Sequence, residues 1–528
     1  MNPSIPNSVD ELYAEKRQVQ RILYTGLILA ALIVFGVIGL MLNLFPKVNG
    51  GLIGIVGITT LAVLIFPVIV WNNPRTGIYI LFALAALFGF TPGMSTITIP
   101  TSYVPIWANI STIGRWYGTT SLTSISFSPP EVIIVITLLA FLVRTISARE
   151  LKLHAGPFAG WILFYELIVL LGYVRGVTSG GETTMALYEV RAQATFLLAY
   201  FMGVNMFTHR EQLKPILWAL VLGSGFIGIC GTITFISKGG VTGPEGFMSH
   251  DDSLFFNRIF FIVFLFALAN QYPRLKKWAL AFTPTALIAM LANQRRAGIA
   301  AFIIAFIPLV PLMWYLFKER RKQIFRFALG FAIISAIYFP IAWNGTGAWA
   351  LPARALRSSS DPNGRDASSD YYRLAETNNL LFTRDYVANP WIGLGYGKPF
   401  AMIYALPAVT TDFLQYMPHN SVLWVWMRLG HLGFFAFIMM IAAIMIRGPQ
   451  IMLTVKDPFL RLFGLMAMLD MLMIFTYGKY DLQLTNPRQM VCTAFLIGIL
   501  GSLNRIDGAD TPMNEAGEVR EESPALIS

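Results

Sequence analysis

The stretch AGIAAFIIAFIPLVPLMWYLF, residues 297–317, decides the fold class. It carries no charged residue over the roughly 20 residues that a helix needs to cross the hydrocarbon core of a bilayer. A second run, ILYTGLILAALIVFGVIGLMLNLF at 22–45, has the same character. Of the 528 residues, 55% are hydrophobic and only 13% are charged, whereas soluble domains carry about 25% charged residues. The sequence therefore predicts an all-α, polytopic integral membrane protein.

Apolar windows predict about 12 to 14 transmembrane helices within a membrane domain at 22–503. The windows lie at 22–45, 51–71, 76–91, 131–148, 157–173, 186–207, 215–236, 255–271, 278–294, 296–317, 327–343, 419–446, 459–477 and 488–503. Lysine and arginine are more numerous on the side that is cytoplasmic when both termini lie inside. Residues 1–21 lack the compact apolar region of a signal peptide and are predicted to be a cytoplasmic tail. Residues 504–528 are polar and acidic and are predicted to be a disordered cytoplasmic tail.

Charge and cysteine usage exclude several classes of function. The net charge of +11 is explained by membrane orientation, so we expect no nucleic acid partner. Cys230 and Cys492 both lie in apolar runs, which gives no disulfide or cysteine metal framework. No nucleotide-binding lysine motif or HExxH motif is visible, and SHDDS at 249–253 is interpreted as a polar cap before the next helix. We therefore expect no cofactor and no metal.

Residues 344–418 form one large external loop, and a loop of this length is usually functional or disordered. Its first part, RALRSSSDPNGRDASSD at 354–370, is predicted to be flexible. The following DYYRLAETNNLLFTRDYVANP is predicted to be a helix that ends before Asn389 and Pro390. GLGYG at 393–397 lacks the strand and helix of a dinucleotide site and is predicted to be a turn.

Arginines at predicted outer helix ends and in outer loops run against the usual preference of basic residues for the inner side. They are Arg175, Arg191, Arg258, Arg295, Arg296, Arg373 and Arg384. A guanidinium binds phosphate with two parallel hydrogen bonds, and a helix N-terminus also attracts anions. We therefore predict a diphosphate-binding role for Arg295, Arg258, Arg191 and Arg384. The alternative is that individual arginines bury their aliphatic stems in the membrane and contact lipid headgroups with their guanidinium groups.

His419 lies in PHN at 418–420, where an apolar run begins. A helix N-terminus disfavours positive charge, so the imidazole is expected to stay neutral near pH 7 and to accept a proton. A neutral histidine beside arginines indicates a base that activates a hydroxyl while the arginines hold an anionic leaving group. The alternative is a hydrogen-bonding cap.

Three segments in this order resemble the O-antigen ligase and polymerase superfamily. They are QRRAGIAAF (294–302), YYRLAETNNLLFTRDYVANPWIGLGYG (371–397) and PHNSVLWVWMRLGHLGF (418–434). The resemblance implies that Arg296, Arg373 and His419 form the active centre. Two positions depart from the family pattern: Arg295 stands where serine is common, and Arg428 stands where an acidic residue is usual. Because Arg428 falls on the helix face opposite His419, we predict that it packs or pairs inside the bundle.

The resemblance further implies a membrane glycosyltransferase of surface polysaccharide assembly, in the bacterial inner membrane with its site facing the periplasm. Its partners would be an undecaprenyl-diphosphate-linked glycan donor, a lipid or glycan acceptor, and membrane lipids. The reaction would be an inverting transfer that needs no metal. Ligase and polymerase stay open as alternatives, because both need the same donor site.

Two other functions compete with this interpretation. A transporter or flippase of a lipid-linked or acidic solute would use ionisable residues within spans, namely Glu166, Asp470 and Arg428. A peptidoglycan-type polymerase would rely on a loop carboxylate. Asp366, Asp370 and Asp385 are the candidates for that role.

Overall fold

The computed structural model describes residues 66–89, 106–109, 127–149, 152–240, 248–345, 347–357, 364–406 and 415–510. The predicted span 22–45, most of 51–71, the predicted tail 1–21 and residues 511–528 lie outside the described residues.

The described part of the chain is helical, and its isolated β-bridge joins Asn389 to Gly393. The α-helices are α1 (Arg75–Leu87), α2 (Pro129–Ser147), α3 (Ala159–Thr178), α4 (Thr183–Met206), α5 (Lys214–Ser237), α6 (Asp252–Leu268), α7 (Pro273–Asn293), α8 (Arg296–Leu316), α9 (Arg321–Ala342), α10 (Leu351–Arg357), α11 (Gly364–Phe382), α12 (Ser421–Thr454), α13 (Pro458–Gly478) and α14 (Pro487–Asp510). Short 3₁₀ helices lie at Arg210–Leu213, Lys318–Arg320 and Ala348–Ala350, and a π-helix at Thr383–Val387. Every predicted span from 76–91 onward coincides with a helix.

Among the described residues, nine helical segments are long and apolar enough to cross a membrane. They contain α2, α3, α5, α7, α8, α9, α12, α13 and α14. Helix α4 is less apolar because it carries polar side chains such as Glu189, and α6, with 17 residues, is shorter than these segments. The chain is a multi-pass membrane protein, and the predicted all-α polytopic fold class is confirmed.

The chain divides into two compact units. The smaller unit comprises Met1–Gly77, Asn109–Phe127 and Val135–Glu150. Within it, the Arg144 guanidinium donates a hydrogen bond of 2.5 Å to the carbonyl oxygen of Asn72. The larger unit comprises Ile78–Ala108, Ser128–Ile134 and Leu151–Ser528, and it contains every residue of the site described below.

Within the larger unit, α13 and α14 are mostly buried, whereas α9 presents almost its whole surface outward. Helix α14 packs most extensively against α4, and α7 packs against α5. Gly203 of α4 and Gly498 of α14 allow the first of these contacts. A Cβ atom on Gly498 would lie 2.4 Å from the carbonyl oxygen of Tyr200, so only small residues permit this approach.

Three segments differ from the predictions. The stretch 354–370 was predicted to be flexible, yet its first residues lie in α10 and its last in α11. Helix α14 continues to Asp510, whereas the tail was predicted to start at 504. Helix α12 is longer than the predicted span 419–446 and is interrupted at Gly430, whose φ of 65° and ψ of −164° are not helical.

Candidate active site

Helix α11 is the part of the large loop that carries charged side chains toward the membrane helices. Asp370, Arg373 and Glu376 follow each other at three-residue steps along this helix. Each step advances about 4.5 Å along the axis, so the three side chains occupy successive turns. As predicted, the helix stops before Asn389: it passes into the π-helix Thr383–Val387, and Ala388 is extended.

His419 is held by Glu376. The imidazole Nδ1 lies 3.1 Å from Glu376 Oε1, and the backbone N–H of His419 donates a 3.0 Å hydrogen bond to Glu376 Oε2. The Glu376 side chain is 1% exposed and that of His419 is 24% exposed. Tyr372 contacts the imidazole edge-on at 5.4 Å between ring centroids. Because Nδ1 faces the carboxylate, the Nε2 atom is the ring nitrogen left for a substrate.

This pairing raises the pKa of His419, which the sequence-based prediction did not include. Burial lowers the pKa of the imidazole, but the hydrogen bond and the negative charge of Glu376 outweigh burial, so the pKa of His419 is raised above its ordinary value. The prediction considered only the helix N-terminus, which disfavours the positive charge, and omitted this buried carboxylate, which favours it. The result is a stronger proton acceptor at Nε2, held in one orientation.

Asn420 and Ser421 explain the rest of the polar opening of α12. The Asn420 side chain accepts a 3.0 Å hydrogen bond from the backbone N–H of Leu423 and so caps the helix. The Ser421 hydroxyl donates a 2.9 Å hydrogen bond to the carbonyl oxygen of Asp481. His419 thus lies immediately before a helix start that is fixed on both sides.

Arg296 and Arg373 meet at one carboxylate. Arg296, the first residue of α8, donates hydrogen bonds of 3.2 and 2.8 Å to the two oxygens of Asp370. Arg373 Nη1 lies 3.7 Å from Asp370 Oδ1. The side chains of Arg296, Arg373 and Asp370 are 17%, 34% and 37% exposed, so the cluster is accessible to a ligand. Because the Arg373–Asp370 pair is partly exposed, it contributes little to the stability of the fold. Arg373 also acts electrostatically on His419.

Arg295 lies at the same end of the bundle. It is the N-cap residue of α8, after Gln294 in the left-handed region at φ 54° makes the tight turn from α7. Arg295 and Arg373 both lie within electrostatic range of Tyr477. The structure therefore brings Arg295, Arg296 and Arg373 to the neighbourhood of His419.

The other three arginines that we predicted to bind a diphosphate have carboxylate partners. Arg191 lies in the third turn of α4 and donates two hydrogen bonds, of 2.8 and 2.5 Å, to Glu131. Arg384 donates to the adjacent Asp385 at 2.7 Å and lies 4.2 Å from the centroid of the Trp426 ring. The hydrogen bond from Arg384 lowers the pKa of Asp385. Both carboxylates compete with a phosphate for these guanidinium groups.

Arg258 was predicted to lie at a helix end, but the structure places it inside helix α6. Helix α6 starts at Asp252, three residues earlier than the predicted span 255–271, so Arg258 falls in its second turn and is fully buried. Its Nε donates a 2.6 Å hydrogen bond to Asp470, whose side chain also accepts from Thr493 at 2.6 Å. This burial leaves Arg258 without the exposed surface that contact with a diphosphate requires.

The structure also shows the surroundings of the residues that a transporter or a polymerase with a loop carboxylate would use. Asp470 is held by Arg258, and Arg428 forms a 2.6 Å ion pair with Glu189 in which both side chains are 0% exposed. The prediction that Arg428 packs or pairs inside the bundle is confirmed, and the structure shows pairing. Glu166 is half-buried in α3, and its buried Oε1 atom makes no hydrogen bond among the described residues. Of the loop carboxylates, Asp370 binds Arg296, Asp385 binds Arg384, and Asp366 lies in the first turn of α11.

Arg428 and Glu189 fasten the large loop to the helices. Arg428 donates to the carbonyl oxygens of Gly395, Lys398 and Tyr416 at 3.0, 2.6 and 2.8 Å. Glu189 accepts from the Gly397 backbone at 2.6 Å. GLGYG is a turn, as predicted, and its three glycines have φ between 74° and 81°.

Gly393 and Gly430 fit against each other where this turn meets α12. A Cβ on Gly393 would lie 2.2 Å from the Arg428 carbonyl oxygen, and one on Gly430 would lie 2.5 Å from the Trp391 backbone. Beyond the break, the backbone N–H of His431 donates to Pro390 and that of Leu432 to Trp391, at 2.8 and 3.1 Å. The loop backbone thus supplies acceptors to the interrupted helix.

Sequence reasoning missed three residues of this region: Glu376, His250 and Asp481. Glu376 lies on a polar helix, where a glutamate is normally solvated, and its partner is 43 positions away. His250 Nδ1 lies 3.0 Å from Asp481 Oδ2, a pair separated by 231 positions. The signal that was present for His250 is its place in SHDDS, a cluster interpreted as a cap.

The fold and the site define a polytopic helical membrane protein whose histidine and arginines converge at one end of the bundle. Residues 279–438 match the family model described as O-antigen ligase, so the resemblance to the O-antigen ligase and polymerase superfamily is confirmed. The matched range includes Arg295, Arg296, Arg373, Glu376 and His419 and excludes His250 and Asp481. No curated protein gives a significant match to the chain.

Proposed function

We propose that the protein is a membrane glycosyltransferase that moves a glycan from an undecaprenyl-diphosphate carrier to an acceptor hydroxyl. The observation that carries this proposal is the His419–Glu376 pair beside Arg296 and Arg373, which share Asp370. A base and a group of phosphate-binding cations are the two parts that such a transfer needs. The match to an O-antigen ligase domain supports the same chemistry.

The reaction is a single displacement at the anomeric carbon. His419 Nε2 accepts the proton of the acceptor hydroxyl while the acceptor oxygen forms a bond to the anomeric carbon. The bond from that carbon to the carrier phosphate oxygen breaks, and the electron pair stays on the leaving undecaprenyl diphosphate. Glu376 stabilises the imidazolium that forms, and one displacement inverts the anomeric configuration.

The arginines act on the leaving group. Negative charge grows on the diphosphate as the bond breaks, so cations placed there stabilise the transition state more than the ground state. Arg373 and Arg295 are best placed for this role, and Arg296 holds Asp370 in position beside them. The arginines supply the electrostatic stabilisation that a metal ion gives in other transferases, so we propose a metal-independent reaction.

The setting that fits this chemistry is the bacterial inner membrane, with the site facing the periplasm, where a lipid-linked glycan is presented. The partners are the glycan donor, a lipid or glycan acceptor, and membrane lipids. In the buried Arg258–Asp470 and Arg428–Glu189 pairs each charge lies against an opposite charge, which supports a structural role rather than the transport role considered for such residues.

The test uses the full chain in nanodiscs with a panel of synthetic undecaprenyl-diphosphate oligosaccharides and candidate acceptors. Release of undecaprenyl diphosphate is measured with chelator and without nucleotide for wild type, His419→Ala, Arg373→Ala and the control His154→Ala, which removes an exposed histidine before α3. Wild type and the control are expected to release the carrier. The loss of the base costs about 10²- to 10⁴-fold in the transfer rate.

The products and the variants decide between alternatives. Long glycan chains on the carrier identify a polymerase, and a single transfer to a non-carrier acceptor identifies a ligase. Wild-type activity in His419→Ala refutes the assignment of the base. Absence of transfer with every donor and acceptor, together with movement of a lipid-linked solute across the bilayer, would favour the transporter.

A further inference from the structure

A second histidine–carboxylate pair lies at the same end of the helices. His250 precedes α6, and Asp481 lies in the connection between α13 and α14. His250 Nδ1 is 3.0 Å from Asp481 Oδ2. The His250 side chain is 43% exposed and that of Asp481 is 12% exposed, so a largely buried carboxylate holds a ring that remains accessible.

Hydrogen bonds connect this pair to the residues around His419. Ser421 donates its hydroxyl to the Asp481 carbonyl at 2.9 Å and its backbone N–H to the His419 carbonyl at 3.0 Å. The Tyr477 hydroxyl donates to the His250 carbonyl at 2.8 Å. Ser421 therefore connects Asp481 to His419 through two hydrogen bonds. The two histidines lie next to the same region of the structure.

The charge of Asp481 acts on both rings. Burial raises the pKa of this carboxyl, but His250 and then His419 outweigh burial, and the pKa of Asp481 is lowered. In turn, Asp481 is one of the groups that raise the pKa of His419. Asp481 is thus a carboxylate shared electrostatically by the two imidazoles.

The backbone that carries His250 is fixed by its neighbours. Asp251 and Asp252 each accept a 2.8 Å hydrogen bond from Arg488, which is itself fully buried in α14. Gln489 donates to the Asp251 carbonyl at 3.1 Å. A side chain on a fixed backbone with one ring nitrogen held by a carboxylate is preorganised for contact with a ligand.

The chemistry of the free nitrogen indicates the ligand. When the ring is neutral, a carboxylate at Nδ1 places the proton on Nδ1 and leaves a lone pair at Nε2. A lone pair binds a hydroxyl donor and repels phosphate oxygens, which are acceptors. We propose that His250 is a second substrate-contacting residue of the transfer site, whose Nε2 accepts a hydrogen bond from a glycan hydroxyl while Asp481 orients the ring.

This inference rests on the proposed glycosyl transfer and adds a substrate contact outside the matched domain. The hydroxyl belongs either to the donor glycan or to the acceptor, and kinetics separate the two. Initial rates are measured in nanodiscs with donor and acceptor varied separately. Loss of the contact is expected to raise the KM of one of the two substrates roughly 3- to 10-fold, the range of a single hydrogen bond, with a smaller change in kcat.

Two variants separate contact with substrate from support of Asp481. His250→Asn keeps a donor near the position of Nδ1 and removes the Nε2 end of the ring, whereas His250→Ala removes both. A contact through Nε2 predicts the same raised KM in both variants. A purely structural role predicts that His250→Asn behaves as wild type while His250→Ala does not. His154→Ala is again the control and should match wild type.

A binding measurement keeps this inference distinct from the proposed function. In the His419→Ala background, binding of the same synthetic undecaprenyl-diphosphate oligosaccharides and acceptor glycans is measured with and without His250→Asn. Weaker glycan binding on His250→Asn supports the contact even where the wild type performs no transfer. Equal binding and equal KM values for wild type and both His250 variants overturn it.

Discussion

Glu376→Gln tests the base assignment without changing the size of the side chain. The carboxylate of Glu376 accepts from the backbone N–H of His419 at 3.0 Å and faces His419 Nδ1 at 3.1 Å. A glutamine keeps one acceptor, but its NH₂ group then faces Nδ1 and favours the tautomer with the proton on Nε2. A hydrogen bond to a charged group contributes about 1.5–3 kcal/mol, which corresponds to about 10- to 150-fold in rate.

We expect kcat for undecaprenyl diphosphate release to fall by about that factor, 10- to 150-fold, in Glu376→Gln. The pH dependence should also change. Since Glu376 raises the pKa of His419, its removal lowers that pKa, and the acid-side limb of the rate profile moves to lower pH. The assay is kcat against pH in nanodiscs, with Glu319→Gln, an exposed glutamate before α9, as the matched control. A limb that stays in place or moves to higher pH would refute this reasoning, as would a wild-type rate.

Two further predictions concern stability in detergent. Glu189→Gln leaves the buried Arg428 charge without its partner and should lower the free energy of unfolding by about 3–5 kcal/mol, whereas Glu166→Gln, which breaks no ion pair, should cost much less; equal melting temperatures would contradict this. The pKa of His419 is raised in the folded protein, so the stability that it gains from Glu376 is fully present below about pH 6.5 and is lost as pH rises through the folded pKa. The excess melting temperature of wild type over Glu376→Gln should therefore shrink with rising pH, and growth of that excess would be inconsistent with the pairing.

The helices were predictable because the membrane imposes a simple rule on composition. Apolar windows located a helix at every predicted span among the described residues, since a bilayer requires about 20 apolar residues for each crossing. The helix ends were less accurate, as at the C-terminal ends of α12 and α14. Errors occurred where polar residues are buried by other helices. Helix α6 begins with Asp252 and Ser253, both buried, and a hydropathy window therefore placed its start three residues late.

Site residues were predictable where the local sequence around them forms a motif. They were not predictable where their role depends on an interaction partner far away in the sequence. Arg296, Arg373 and His419 were identified from segments in the sequence, and the structure places them at one end of the bundle; their catalytic roles stay a prediction. Glu376 was not identified because its partner, His419, lies 43 positions away in the sequence. The same reason explains Arg258, whose partner Asp470 lies 212 positions away.

The fit of Gly393 against the interrupted helix α12 has a consequence for engineering. Exchange of a loop between related proteins presumes that the loop is an independent module. Here residues 390–395 bond to both sides of the break at Gly430: the N–H groups of Leu394 and Gly395 donate to the helix before it, and the carbonyl oxygens of Pro390 and Trp391 accept from the helix after it. The same helix begins two residues after His419. A chimera that replaces the loop alone would place a foreign turn against helix α12, whose break at Gly430 fits the native turn. The exchangeable module is the loop together with the first half of α12.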